Sequence, residues 1–354
     1  MAEPLLLTPG PVWLHPKIRE ALSRQIIYHR GPEIQTLLKE LTDYIKKGMD
    51  CPHALILTGS GTLGIEFAIA NMCKRNEKML CLSNGNFGEK LPKYANGYTG
   101  VVEHKLVANY GWSLERAKEK IDESDAAVFA MVYNETSTGV ANCAKDIFSY
   151  AKKKGMFTIC DAVSAWGGLE LDMAEFGIDF AISGSQKALG ASPGLAIIGV
   201  SEEGMQRSLG NNCPSHYLDM KKHFENMKKY QTPNTPAVSL MYGLKAAFEL
   251  CEEGGGLSAN IERHARTAEK SRKFIKEMDF EVFAEEGFYS NTITAFLMEN
   301  ADPLRDRLYK EKNIVTARDF GEYKGKLFRI CHIGNFTEEH LDTAFEAIRE
   351  ALGK

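Results

Sequence analysis

"MFTICDAVSAWGGLELDMAEFGIDFAISGSQK", residues 156–187, reads as two buried strands joined by a crossover. "FTIC" and "DFAIS" are apolar at nearly every position, the pattern of strands covered on both faces. The residues between them are too many for a hairpin and suit the connection between parallel neighbours. Both strands then end on the same edge of one sheet. The first ends at Asp161, and the second delivers Lys187 one crossover unit later.

The same alternation extends in both directions. "HALILT" precedes "LGIEFAIANMCK", "KMLCLSNG" precedes "FGEKLPKYANGY", "AAVFAMVY" precedes "KDIFSYAKKKG", and "GLAIIGV" follows the lysine. Strands interleaved with amphipathic helices predict an α/β fold with a large doubly wound, mostly parallel sheet over residues 16–250, after an N-terminal arm of residues 1–15. Pro-rich "YQTPNTPAV" interrupts the pattern, and "GGG" at 254–256 breaks the helical stretch that follows it. Beyond lie helix-like "NIERHARTAEKSRKFIKEM", strand-like "TITAFLM" and "KLFRICHI", and a final helix "EEHLDTAFEAIREAL". They predict a smaller C-terminal α+β domain over residues 251–354. A chain of 354 residues exceeds what one core usually serves, in keeping with two unequal domains.

A net charge of -4, with lysine and arginine dispersed, argues against a nucleic-acid or anionic-membrane partner. Eight cysteines without a CxxC pair, several inside apolar runs, fit a reducing cytoplasm. "MAEPLLLTPGP" has neither the basic start of a signal peptide nor the length of a membrane span. The nine histidines never fall at HExxH spacing, so no metal site is expected.

In "TGSGTLGIE", Gly59, Gly61 and Gly64 form GxGxxG between a strand and a helix, where backbone N–H groups and the helix dipole suit a phosphate. The bland reading is a tight turn. A nicotinamide dinucleotide would need an acidic residue about twenty positions on. Ser83 and Asn84 stand there instead, which leaves a single phosphate and weakens an NAD-dependent oxidoreductase. An Asp such as Asp161 could serve only as a turn or helix cap. Together, however, Lys187, Asp161 and the glycine turn provide what pyridoxal phosphate requires: an amine for its aldehyde, a carboxylate for its ring nitrogen and an anchor for its phosphate. A free lysine titrates near 10.4, so such an amine needs desolvation or a neighbouring cation.

"SGSQKALGASPG", "CDAVSAWGG", "NETSTGV", "TGSGTLGIE" and "LLLTPGPVWLHPKIREAL…YHRGPEI", with "TPNTPAVSL" and "LFRICHIG", give a chain that resembles the class V pyridoxal-phosphate aminotransferases, in the alanine–glyoxylate and serine–pyruvate branch. The resemblance implies a type I pyridoxal-phosphate fold and a homodimer with shared active sites. It implies ping-pong transfer from a small amino acid to a 2-oxo acid through a Schiff base on Lys187. Asp161 then matches the pyridinium partner; Gln186, Ser60, Gly61 and Thr62 match phosphate contacts; Val163 matches a cofactor contact and Phe87 the stacking aromatic. The family often has His at Thr62 and Trp at Phe87. Thr136 and Ser137 match a polar turn beside the cofactor, and Tyr230 and Thr235, with Asn234 as competitor, a segment reaching the partner's cofactor phosphate.

Gly10, in the Thr8–Gly10 turn, and Arg329 match substrate contacts, Arg329 through the α-carboxylate. Read from its own surroundings, Arg329 is an arginine in a short apolar run, a costly place for a cation unless it has a partner, with an exposed strand face as the plainer alternative. Relatives acting on 2-aminoethylphosphonate, pyridoxamine or ureidoglycine remain alternatives. A cysteine desulfurase would need a mobile nucleophile, for which Cys331 is the C-terminal candidate and a buried hydrophobe the plainer reading. A non-catalytic protein that keeps the fold would be expected to have lost Lys187, Asp161 or Arg329.

Overall fold

In a computed structural model, which describes residues 3–319 and 321–354, seven strands form one sheet. In chain order they are β1 (His53–Thr58), β2 (Lys78–Ser83), β3 (Gly100–Lys105), β4 (Val128–Val132), β5 (Phe157–Asp161), β6 (Phe180–Gly184) and β7 (Leu195–Val200). Across the sheet they run β3-β2-β4-β5-β6-β7-β1. The pairs β3/β2, β2/β4, β4/β5 and β5/β6 are parallel. β7 is antiparallel to both β6 and β1. The cause is local: β6 and β7 are joined by the short loop carrying Lys187, which allows a chain reversal and is too short for a crossover.

The central strands β4, β6 and β7 are buried at every residue, which is why their sequences show no alternation. Alternate side chains serve opposite faces. Leu80, Leu82, Phe129, Met131 and Ile197 join one core, beneath the helices Pro32–Met49, Ala144–Lys153 and Val238–Glu253. Met79, Cys81, Val128, Ala130 and Ile198 join the other, beneath the helix Gly61–Met72. That helix lies close to the sheet because Gly64 has no side chain: a Cβ there would stand 2.7 Å from Ile182 Cγ2.

"FGEKLPKYANGY" forms a 3-10 turn, Gly88–Lys90, and a short helix, Leu91–Ala95, rather than one long helix. Pro92 in the first turn and Gly97 at φ 91° mark its narrow limits. The glycine run does break the later helices: Val238–Glu253 ends, Gly255 and Gly256 take positive φ, and Gly256–Glu277 begins. The strands Ile293–Leu297 and Leu327–Cys331 pair antiparallel and share a third core with Phe274, Leu341 and Phe345. Leu7 belongs to this core, because Leu5–Leu7 forms a short parallel strand with Ile314–Thr316. Among the described residues no helix is long and apolar enough to cross a membrane.

Candidate active site

Asp161 is the last residue of β5, and Lys187 follows β6 by three residues. Both are buried. Asp161 Oδ1 accepts a hydrogen bond from Val163 N at 3.0 Å. Burial is the main reason its carboxyl rises from 3.8 to about 6; the Glu135 charge adds to the rise, while the Val163 N–H and the Lys187 cation oppose it. Lys187 moves the other way. Burial lowers its amine from 10.5 to about 8, with Arg329 assisting and Cys331 and Asp161 opposing. Its Nζ donates to a neutral acceptor, Pro9 O, at 2.6 Å. Burial thus supplies desolvation for this amine, and its hydrogen-bond acceptor carries no charge.

That bond depends on Gly10. At φ 121°, a Cβ would lie 2.8 Å from Gln186 O and 2.9 Å from Lys187 Cδ, so only glycine lets the N-terminal turn rest on the lysine.

At the C-terminal end of β1, the chain turns through Gly59 into the helix Gly61–Met72. Ser60 is the N-cap, with extended backbone and no side-chain capping bond. Leu63 N and Gly64 N donate to Ser60 O. The Gly61 and Thr62 N–H groups thus stand at the positive end of the helix, next to the cavity. The cavity holds about 250 Å³. Gly10, Ser60, Gly61, Thr62, Phe87, Thr136, Asp161, Val163, Gln186 and Lys187 all line it. Lys187 Nζ lies 5.9 Å from the centroid of the Phe87 ring.

Other expected residues stand apart from this wall. Ser137 lies one layer behind it, where its Oγ donates to Glu135 Oε1 at 2.5 Å and accepts from Asn86 N at 3.0 Å. Arg329 is also behind it and almost fully buried, a cation inside an apolar run and not one on an exposed strand face. Its Nη1 donates to Thr136 O at 3.0 Å, its Nη2 bonds Arg318 O, and its Nε stands 3.8 Å from Asp319 Oδ1. Asp319 in turn takes a bond from Arg305 Nη2 at 2.6 Å, so the cation is held in a charged network directly behind Thr136. Tyr230 and Thr235 lie away from the cavity of their own chain. Tyr230 borders a separate cavity along β1, and Thr235 Oγ1 is 3.5 Å from His29 Nε2. Cys331 sits in a strand, fully buried, with its thiol pushed up to about 11 by that burial, the reverse of a mobile nucleophile.

Sequence reasoning passed over Tyr94, Asn134 and Ser164, which also line the cavity. Asn134 Nδ2 donates to Ser164 Oγ at 2.8 Å and to Thr292 Oγ1 at 2.9 Å, tying the turn after Asp161 to the C-terminal strands. Asn134 was within reach, since it follows β4, the strand beside β5. Tyr94 gave no signal, because it sits on a short helix of unremarkable pattern.

The residues fit pyridoxal phosphate on observations of the chain itself. A buried carboxylate has one oxygen turned to a backbone N–H, and an amine is partly relieved of its proton. Space is kept open by Gly61, where a Cβ would lie 2.5 Å from Val163 Cγ2. Gly61→Ala is expected to push the Val163 methyls into the cavity. Overpacking of this kind costs roughly 1–3 kcal/mol, which, if it falls on the cofactor-bound state, is about five- to 150-fold in cofactor affinity. Equilibrium titration with pyridoxal phosphate measures it, and an unchanged affinity would remove Gly61 from the cradle.

The family model described as Aminotransferase class-V matches residues 20–321. An uncharacterized aminotransferase of Methanocaldococcus jannaschii is 34% identical over 98% of this chain and 92% of its own. The solved alanine–glyoxylate aminotransferase of a Nostoc species superposes with a TM-score of 0.95 at 25% identity, covering 99% of this chain and 96% of its own. The pyridoxamine–pyruvate aminotransferase of Mesorhizobium loti gives a TM-score of 0.93 at 28% identity, covering 99% and 93%.

Proposed function

The chain belongs to the class V aminotransferases, with pyridoxal phosphate as cofactor, and on that premise we propose that it moves an amino group from a small amino acid of the alanine or serine class to glyoxylate or pyruvate. One observation carries the reading: Lys187 and Asp161 leave neighbouring parallel strands on one edge and face a cavity of only about 250 Å³. A space of that size, already shared with a cofactor, favours a small donor.

When bound, pyridoxal phosphate supplies a reactive carbonyl and an electron-withdrawing ring that acidify the amino acid's Cα–H. Asp161 would hold the cofactor's ring nitrogen with a buried negative charge. The Gly61 and Thr62 N–H groups, Ser60 and Gln186 would hold the phosphate, and Phe87 and Val163 would contact the ring. Thr136, with Ser137 behind it, would add a polar contact. Lys187, with its amine near 8, removes the Cα proton and keeps it for return. Arg329 binds the α-carboxylate, its guanidinium exchanging the Thr136 carbonyl for the charged ligand, and Gly10 shapes the wall opposite.

A homodimer completes the proposal. Tyr230 and Thr235 lie outside their own cavity, as a segment serving the partner's phosphate would. Eight unpaired cysteines suit the cytoplasm.

Single-turnover bleaching of the bound cofactor tests the substrate. Alanine or serine is expected to convert it fastest, and glyoxylate or pyruvate to restore it. Faster conversion by 2-aminoethylphosphonate or pyridoxamine would overturn the small amino acid donor.

A further inference from the structure

We infer that Glu135 is a positioning residue of this site, which clamps the Phe87 turn to the Thr136 turn and fixes a negative charge beside Lys187 and Asp161. The inference rests on the aminotransferase reading above.

Glu135 has no exposed surface. Its Oε2 accepts from Phe87 N at 3.0 Å and Gly88 N at 2.9 Å. Its Oε1 accepts from Ser137 N at 3.1 Å and Ser137 Oγ at 2.5 Å. Ser137 Oγ accepts in turn from Asn86 N at 3.0 Å. Four donors thus converge on one carboxylate, and all four are neutral N–H or O–H groups. A carboxylate offers about four lone-pair sites, and here each has a donor. The donors come from two separate turns, one after β2 and one after β4, so the side chain joins neighbouring strand ends. The fit is close: a Cβ on Gly85 would lie 2.4 Å from Glu135 Cγ, so the turn before Phe87 wraps directly over it.

Two consequences follow for the chemistry. Phe87 can hold a ring only at the height its backbone allows, and two of the four bonds set that backbone. The charge also acts on the groups that titrate. Lys187 is faced by Asp161 from β5, Glu135 from the end of β4, and Arg329 and Cys331 from the strand Leu327–Cys331. Among these, Glu135 favours the protonated form of both Lys187 and Asp161.

Glu135→Gln in the purified holoenzyme keeps the shape, removes the charge and turns an NH₂ toward one pair of donors. Losing hydrogen bonds to a charged acceptor is expected to speed cofactor release by about tenfold or more. Removal of the charge is expected to move the pH midpoint of the resting visible chromophore down by about one unit. Phe87→Ala should speed release and leave the midpoint in place. A Gln variant that melts earlier but keeps wild-type cofactor retention and midpoint would reduce Glu135 to a structural staple and overturn the inference.

If the Gln variant does not fold, Glu135→Asp decides the matter, because it keeps the charge but cannot reach all four donors. Faster release at the wild-type midpoint is expected, and wild-type retention overturns the clamp. Wild-type protein that takes up no pyridoxal phosphate would overturn the aminotransferase reading, and this one with it.

Discussion

Lys187→Ala is expected to lower both half-reactions by at least about 10⁴-fold, the upper end of what a positioned base contributes, with the covalent anchor lost as well. The substitution is expected to leave the fold intact, because among the described residues the Lys187 side chain makes a single hydrogen bond, to Pro9 O, and the loop backbone keeps its own bonds, such as Gly190 N to Lys187 O at 2.9 Å. Cofactor held by the variant should wash out on dialysis and should resist fixation by borohydride. Appreciable turnover in the variant would place the base elsewhere.

The wild-type lysine makes a second, graded prediction about the same atom. Its amine titrates near 8 instead of 10.5, and only the unprotonated form attacks an aldehyde. Cofactor uptake by stripped protein should therefore rise about tenfold per pH unit below 8 and level off above it. A rate that keeps climbing toward pH 10.5 would mean that burial does not depress this amine.

Asp161→Asn should cost roughly 10²–10³-fold or more in kcat, the scale of removing one preorganised charge from a dry site. The amide keeps an oxygen for Val163 N, so the turn that carries Val163 and Ser164 is retained. What disappears is the negative charge proposed to hold the ring nitrogen. The wild-type carboxyl, raised to about 6 mainly by burial, is largely ionised at pH 7 and gains further from a cationic partner. Thermal melting at the wild-type temperature together with the loss of kcat separates the charge from the fold. Near-normal kcat would remove Asp161 from its role.

Much of this site was legible because the residues lie at strand ends. Asp161, Lys187 and the Gly59–Gly64 turn each terminate an apolar run, and parallel sheets gather ligands at that edge. The hidden parts depend on contacts that periodicity cannot express. The antiparallel direction of β7 follows from the length of one loop, not from its apolar pattern. Arg329 could be seen as a costly cation in an apolar run, but its bond to Thr136 O joins residues far apart in sequence. Glu135 stands within "NETSTGV", and nothing local in that stretch shows that its carboxylate receives Phe87 N and Gly88 N from another strand end.

The pairing of Leu5–Leu7 with Ile314–Thr316 has a mechanical meaning. Only Thr8 separates this short strand from Pro9, whose carbonyl rests on the Lys187 amine. The C-terminal strand Ile314–Thr316 is thus tethered to the Lys187 amine through a stretch of only a few residues, so the placement of that carbonyl is tied to the far end of the chain as well as to the loop that carries the lysine.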